Sequence, residues 1–210
     1  MPESRTPPRR TQAQRRDSTI AGLIEATVSC LTERGYAATS TAAVCARAGV
    51  SQGALFRHFP TRQDLLVATA QHVAEHNVAA FTALGSAPVG TVDEVAQVLE
   101  HLRTVVLSPA NQTWRELLVA ARADADLRTA LLPARQEFQA RMLVAATTLW
   151  GTRIPAEDQA AVLSLVVNFF DGLAFSALDP DPRAPAGRTV ERALRLLAEM
   201  IVDHYPQENS

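Results

Sequence analysis

Three groups of side chains in this 210-residue chain have the types and spacing to do chemistry. His72-Val-Ala-Glu75-His76 fits the H-x-x-E-H string of inverted zinc proteases, with both imidazoles on one helical face at i, i+4. A third protein ligand cannot be picked out, and no nucleophile elbow, phosphate loop or dinucleotide fingerprint occurs. A metal-dependent hydrolase is therefore the remote alternative; the expectation is no catalytic residue, no metal and no cofactor. The second group is polar and sits on otherwise apolar stretches: His101, Trp114, Arg115, Glu116, Arg141, Asn168 and Asp171. Asn168 and Asp171 share a face at i, i+3, where a buried carboxylate is costly unless bonded or paired. They can line a ligand pocket or bridge an interface. The third group is Gln52, Arg57 and His58, close to Arg62. These side chains can bond base edges and phosphate oxygens.

The stretch that must position this third group is Thr39 to Arg62, TSTAAVCARAGVSQGALFRHFPTR. Ser40 or Thr41 can cap a first helix of small apolar residues. Gly49 ends it, because it reaches positive φ without a Cβ penalty. Val50 is the buried residue of the turn, and Ser51 caps a second helix from Gln52 to His58. Pro60 stops continuation. Helix, glycine turn, helix is the helix-turn-helix layout, whose second helix enters the DNA major groove. Ahead of it, Ile20, Leu23, Ile24, Thr27 and Leu31 predict a bracing helix over 16–34, stopped by Gly35. Tyr36, Val44, Leu55 and Phe59 complete a small three-helix core. A close helix crossing would explain Gly22.

Gly35-Tyr36, Ser40, Ala48-Gly49-Val50-Ser51, Gly53, Leu55-Phe56, Phe59 and Leu65-Leu66 together resemble the N-terminal domain of the tetracycline-repressor (TetR) family. The family usually has Tyr at position 56, and Phe lacks the hydroxyl that would reach a phosphate. It usually has Lys at position 62, where Arg keeps the charge and can fork onto phosphate. The resemblance implies a homodimer closed by a four-helix bundle of the last two long helices. It also implies a helix linking the DNA-binding module to a C-terminal body. DNA contacts are expected from Arg15, Arg16, Ser40, Thr41, Ser51, Gln52, Gly53, Ala54, Phe56, Arg57, His58 and Arg62. Phosphates fall to the N-terminal Arg residues, Ser40, Thr41 and Arg62, and base edges to Gln52, Ala54, Arg57 and His58.

Charge distribution supports the same placement. The formal net charge is −2, yet residues 1–62 hold nine Arg against four acids, and the remainder eleven Arg against eighteen acids. A basic module on an acidic body is expected if only the N-terminus meets phosphate. Residues 1–14, with three Pro and three Arg, read as a disordered basic arm. Residues 15–61 form the helix-turn-helix domain and 62–205 a helical ligand-binding and dimerisation domain. Cys30 and Cys45 have no partners at metal-ligand spacing and read as small buried residues, with a redox switch as the alternative. No signal-peptide core precedes residue 20, and no apolar run was expected to reach the ~20 residues of a membrane span. The expected setting is cytoplasmic, without a membrane partner.

The body shows no strand alternation, so the fold class is all-α. Helices are expected over 62–84, 91–107, 112–123, 126–150, 155–178 and 188–204, with Pro133 kinking its helix or opening it and DPDPRAPAG (179–187) as a loop. Residues 160–178 are apolar on nearly every side and read as buried all round. In the last helix Val190, Leu194, Leu197 and Ile201 make one stripe, and Ala193, Leu196 and Met200 a second. Dimerisation is assigned to Val166, Phe170, Leu173, Val190, Leu194, Leu197 and Ile201. A pocket for a hydrophobic or amphipathic effector is assigned to His101, Trp114, Leu118, Phe138, Met142, Asn168, Phe169 and Asp171. The functional expectation is a ligand-responsive regulator, most simply a repressor released from a palindromic operator in double-stranded DNA. The rival is a constitutive or architectural DNA-binding protein with a tightly packed body.

Overall fold

The computed structural model describes residues 11–85, 90–176 and 185–206. Among them are nine helices and no strand. The all-α expectation holds, and most boundaries fall where caps and breakers put them.

Helix α1 spans Gln12–Ala38 and starts earlier than its apolar stripe suggests. Thr11 accepts a bond from the N–H of Gln14, whose side chain in turn takes the N–H of Thr11. Residues 11–14 therefore belong to the helix start rather than to the arm; residues 1–10 lie outside the described residues. Gly35 breaks the helical course with φ +73°, ψ 175° and a final turn follows to Ala38. Gly22 has nothing within 4 Å of where a Cβ would stand, so no close crossing accounts for it.

Helices α2 (Thr41–Ala48) and α3 (Gln52–His58) are each capped as expected, by Ser40 Oγ on the Ala43 N–H and Ser51 Oγ on the Ala54 N–H. Between them Gly49 sits at φ +66°, and Val50 donates back to the Cys45 carbonyl at 3.1 Å. Leu23, Ile24, Cys30, Val44, Cys45, Leu55, Phe59 and Leu65 form the core of this module. Tyr36 is not in it. It packs instead on a second cluster shared by α1, α4 (Arg62–Thr82), α6 (Pro109–Ala123) and α7 (Ala125–Trp150).

The body core joins α4 and α7 to α5 (Val92–Val106), α8 (Ala156–Ser176) and α9 (Pro185–His204). Helix α6 begins three residues before its expected start, because Ser108 caps it and Pro109 occupies the first turn, where a missing N–H costs nothing. Pro133 lies in the interior of α7. Pro185 to Gly187 are already helical, so the expected loop over 179–187 is shorter at that end. Its residues 179–184 lie outside the described ones.

Two expectations for the apolar helices need correction. Helix α8 is not buried all round: Leu165 and Phe175 are 67% and 65% exposed, while Val162, Val166 and Phe170 are buried. By length and mean hydropathy (1.3 over 156–175) it also reaches what a membrane span requires, contrary to the expectation that no segment would. The dimerisation stripes are likewise the other way out. Leu194 is buried, and Val190, Leu197, Ile201 and Leu173 pack on the same body core as Val166 and Phe170. The exposed apolar residues are the second stripe of α9, with Leu196 at 43% and Met200 at 67%. On both helices one set of apolar residues goes to the chain's own core and another is exposed.

Candidate nucleic-acid interface and ligand cavity

On α3 the buried positions are Leu55 and, just past its end, Phe59. That leaves Ser51, Gln52, Gly53, Phe56 and Arg57 exposed, with Ala54 and His58 half-buried. Ser40 is exposed, Thr41 half-buried, and Arg15 and Arg16 are exposed on the first turns of α1. The readers expected from sequence thus share one small module, and the helix that carries most of them turns its polar side to solvent. Arg47, at the end of α2, is held instead by Glu33 of α1, with Nη1 donating to Oε2 at 2.6 Å.

Arg62 has partners within the chain that its position in the sequence did not announce. Its Nε donates to the Thr39 carbonyl and its Nη2 to the Tyr36 carbonyl, each at 3.0 Å, and the guanidinium lies 4.3 Å from the centre of the Tyr36 ring. The side chain closes the chain reversal after α1. The spacing of charges along the sequence marked Arg62 as a cation near the reading helix. Nothing local revealed that the Tyr36 and Thr39 carbonyls at the end of α1 would take up its donors.

The same chain reversal is tied to the body. The Tyr36 N–H donates to Glu116 Oε1 of α6 at 2.6 Å, and that oxygen would stand 3.1 Å from a Cβ at Gly35. The Tyr36 hydroxyl donates to Asp124 Oδ2, between α6 and α7, at 2.8 Å. Burial, and then the bond to Asp124, push the Tyr36 phenol above its ordinary range. Backbone donation from Leu127, and then the Tyr36 hydroxyl, hold the Asp124 carboxyl below its own. Sequence spacing gave no sign of this contact, because its partners are eighty and more residues apart.

In the body, α4, α5, α6, α7 and α8 line a partly open cavity of about 470 Å³. Of the residues assigned to a pocket, Trp114, Leu118, Phe138, Met142, Asn168 and Asp171 line it. Trp114 and Phe138 stack at a tilt, with ring centres 4.8 Å apart. His101 does not line it; it is exposed on the outer face of α5. Phe169 packs on the body core away from the cavity, and its neighbour Phe170 takes the lining position together with Val166. A one-residue shift on a 3.6-residue helix rotates a side chain by 100°, and the uniform apolarity of α8 hid which phase is correct.

Asn168 is exposed and holds itself to Ser164 through two bonds from Nδ2. Asp171 is half-buried, with Oδ1 3.8 Å from Arg115 Nη1. Burial raises the Asp171 carboxyl against the pull of Arg115, and burial lowers the Arg115 guanidinium. The carboxylate is therefore bridged and cavity-facing at once. Asn77 and Phe81 of α4 were missed as lining residues. The buried line of α4 is Leu66, Ala70, Val73, Asn77 and Phe81, at strict i, i+3/i+4 steps. Asn77 donates to Asn111 Oδ1 at 2.8 Å, and Asn111 donates to the Val106 carbonyl at 3.0 Å.

The His72-x-x-Glu75-His76 string lies on the exposed face of α4, outside the cavity. Its nearest acid from another helix is Glu25 of α1, 3.5 Å from His72 Nε2. No group of three or more metal-ligating side chains occurs among the described residues.

Comparison with known proteins agrees with both the module and the body. Residues 23–69 match the family described as bacterial regulatory proteins, tetR family. An uncharacterized HTH-type transcriptional regulator of Mycobacterium tuberculosis, Rv2912c, is 37% identical over 166 residues, spanning 79% of this chain and 85% of that one. The HTH-type transcriptional regulator CymR of Pseudomonas putida is 32% identical over 178 residues, 82% of this chain and 86% of that one. Among solved structures, a transcriptional regulator of Rhodococcus sp. RHA1 superposes with a TM-score of 0.69 at 20% identity, covering 90% of this chain and 99% of that one, which shows the shared fold. With the capped α2–turn–α3 unit, the all-helical body and relatives that match along most of their length, this chain belongs to the tetR family of bacterial regulatory proteins: it is a transcriptional regulator with a helix-turn-helix DNA-binding module.

Proposed function

We propose that the protein is a homodimeric repressor that leaves a palindromic operator when a hydrophobic or amphipathic small molecule enters the body cavity. The observation that carries this reading is the shared use of α4 and α6. Both helices wall the cavity, through Phe81 and Trp114, and both hold the DNA-binding module, through Arg62 and Glu116. A constitutive DNA-binding protein would need neither a cavity of this size nor a body so bonded to α1.

The walls favour an apolar occupant. Fourteen apolar residues, among them Trp114, Leu118, Phe138, Met142 and Phe170, outnumber seven polar ones in the lining, and about 470 Å³ falls within the ~300–1,000 Å³ of small-molecule sites. A dimer reads two half-sites together only while its recognition helices match the groove repeat, ~34 Å or somewhat more. A ligand that spreads α6 from α4 would displace Glu116 and with it the end of α1. For release, the ligand must prefer the form that fits DNA poorly, and linkage makes the antagonism reciprocal, with a typical coupling of ~1–3 kcal/mol.

The test is to titrate candidate effectors while following tryptophan fluorescence and operator release in the same samples. Trp114 should respond over the concentration range in which DNA is released. A compound that fills the cavity, as Trp114 reports, and leaves operator affinity unchanged would rule out release by that compound; a panel of such compounds would favour the constitutive reading.

A further inference from the structure

On the outward side of α3, among groups that can bond to DNA, stands one that cannot. Phe56 is 44% exposed and belongs to none of the three apolar clusters. It lies at i+4 from Gln52, so the two side chains stand one above the other on a face flanked by Gly53 and Arg57. A phenyl ring has no donor or acceptor for a phosphate. Its partner on DNA must be apolar, and the apolar group on the floor of the major groove is the C5-methyl of thymine.

A second observation shows that this face is built for close approach. Gly53 is helical, with no positive φ, and a Cβ there would meet nothing nearer than Ser51 Oγ at 3.9 Å. Neither backbone geometry nor packing within the chain requires a glycine, which lowers helix stability relative to Ala. Leaving the side chain out makes room next to Phe56 for something outside the chain.

We infer that Phe56 reads a thymine in each operator half-site through its methyl group, with Gly53 letting the helix backbone come close enough for the ring to reach it. The ring then supplies specificity that the hydrogen-bonding side chains of Gln52 and Arg57 do not.

The experiment uses the full chain and first selects its preferred duplex from a random-sequence pool. Each invariant thymine is then replaced by uracil, which removes the methyl and leaves base pairing intact. Wild-type protein should lose roughly four-fold in affinity per half-site at one thymine position, about what one buried methyl is worth. Phe56→Ala should bind the thymine and uracil duplexes alike, whereas Phe56→Leu should keep part of the discrimination. Gly53→Ala should bind more weakly while melting no lower than wild type. The inference is overturned if no thymine is invariant, if uracil at every position is tolerated by the wild type, or if Phe56→Ala discriminates as strongly as the wild type does. Helicity and melting of each variant are measured first. If Phe56→Ala does not fold, the comparison of Phe56→Leu with the wild type decides, and equal discrimination by both would then count against the ring.

Discussion

Arg62 shows how far a residue's type can be read and where its role escapes. A cation just past the reading helix invites a phosphate contact, yet its guanidinium takes two carbonyls and a ring within the chain. Hydrogen bonds from a charged donor are worth ~1.5–3 kcal/mol. Arg62→Ala should therefore lower stability by about 2 kcal/mol, seen as a fall in the denaturant midpoint in the absence of DNA. Arg62→Lys should recover only part of this, since an ammonium cannot fork between two carbonyls. A variant that melts like wild type and loses only DNA affinity would restore the phosphate role. Gln52 and Arg57 are solvent-facing on α3, so replacing either should change base preference at one position, costing ~1–3 kcal/mol there, without changing the melting point. Equal losses on operator and random DNA would refute that division.

At the scale of elements, much was legible because punctuation is local. Ser40, Gly49, Ser51 and Thr61 each do at a helix end what their chemistry allows. What was not legible was rotation. Continuous apolarity along α8 and two stripes on α9 left the inward face undetermined, and only packing against α5 and α7 selected Val166, Phe170 and Leu194. Contacts of high sequence separation were also hidden, above all the bonds from Tyr36 to Glu116 and Asp124. If these bonds carry the cavity's state to α1, Glu116→Gln should still fold, bind DNA and bind effector, but the effector should shift operator affinity several-fold less. A coupling equal to wild type would leave α4 as the sole link. The Asp124 bond also has a pH signature. Its carboxyl is depressed in the folded protein, so its contribution is present above the ordinary carboxylate range and is lost as pH falls through the folded value. Asp124→Asn should accordingly cost stability at neutral pH, and the difference from wild type should shrink as the solution is acidified. A difference that does not change with pH would assign the cost to lost capping of α7.

For the whole molecule, the exposed apolar faces are the feature a single chain leaves unexplained. Leu165 and Phe175 on α8 and Leu196 and Met200 on α9 are each more than 40% exposed. Exposed apolar surface of this kind signals an interaction site. Two occupants are physically open to α8, a lipid phase and a second copy. The proposed palindromic operator favours the copy, because its two half-sites would need two reading modules at fixed spacing. The face expected to pair was Val190, Leu194, Leu197 and Ile201, but those residues fill the chain's own core, so charging them would test folding rather than assembly. Leu165→Glu with Met200→Glu places charges where the chain itself has little packing to lose, each residue being 67% exposed. The double variant should keep its helicity and sediment as a monomer at micromolar concentration, where the wild type should sediment as a dimer. Operator affinity should fall toward that of a lone half-site, whose contacts are too few to compete with bulk DNA. A wild type that sediments as a folded monomer, or a double variant that remains a dimer and binds the operator normally, would show that these faces serve some other surface.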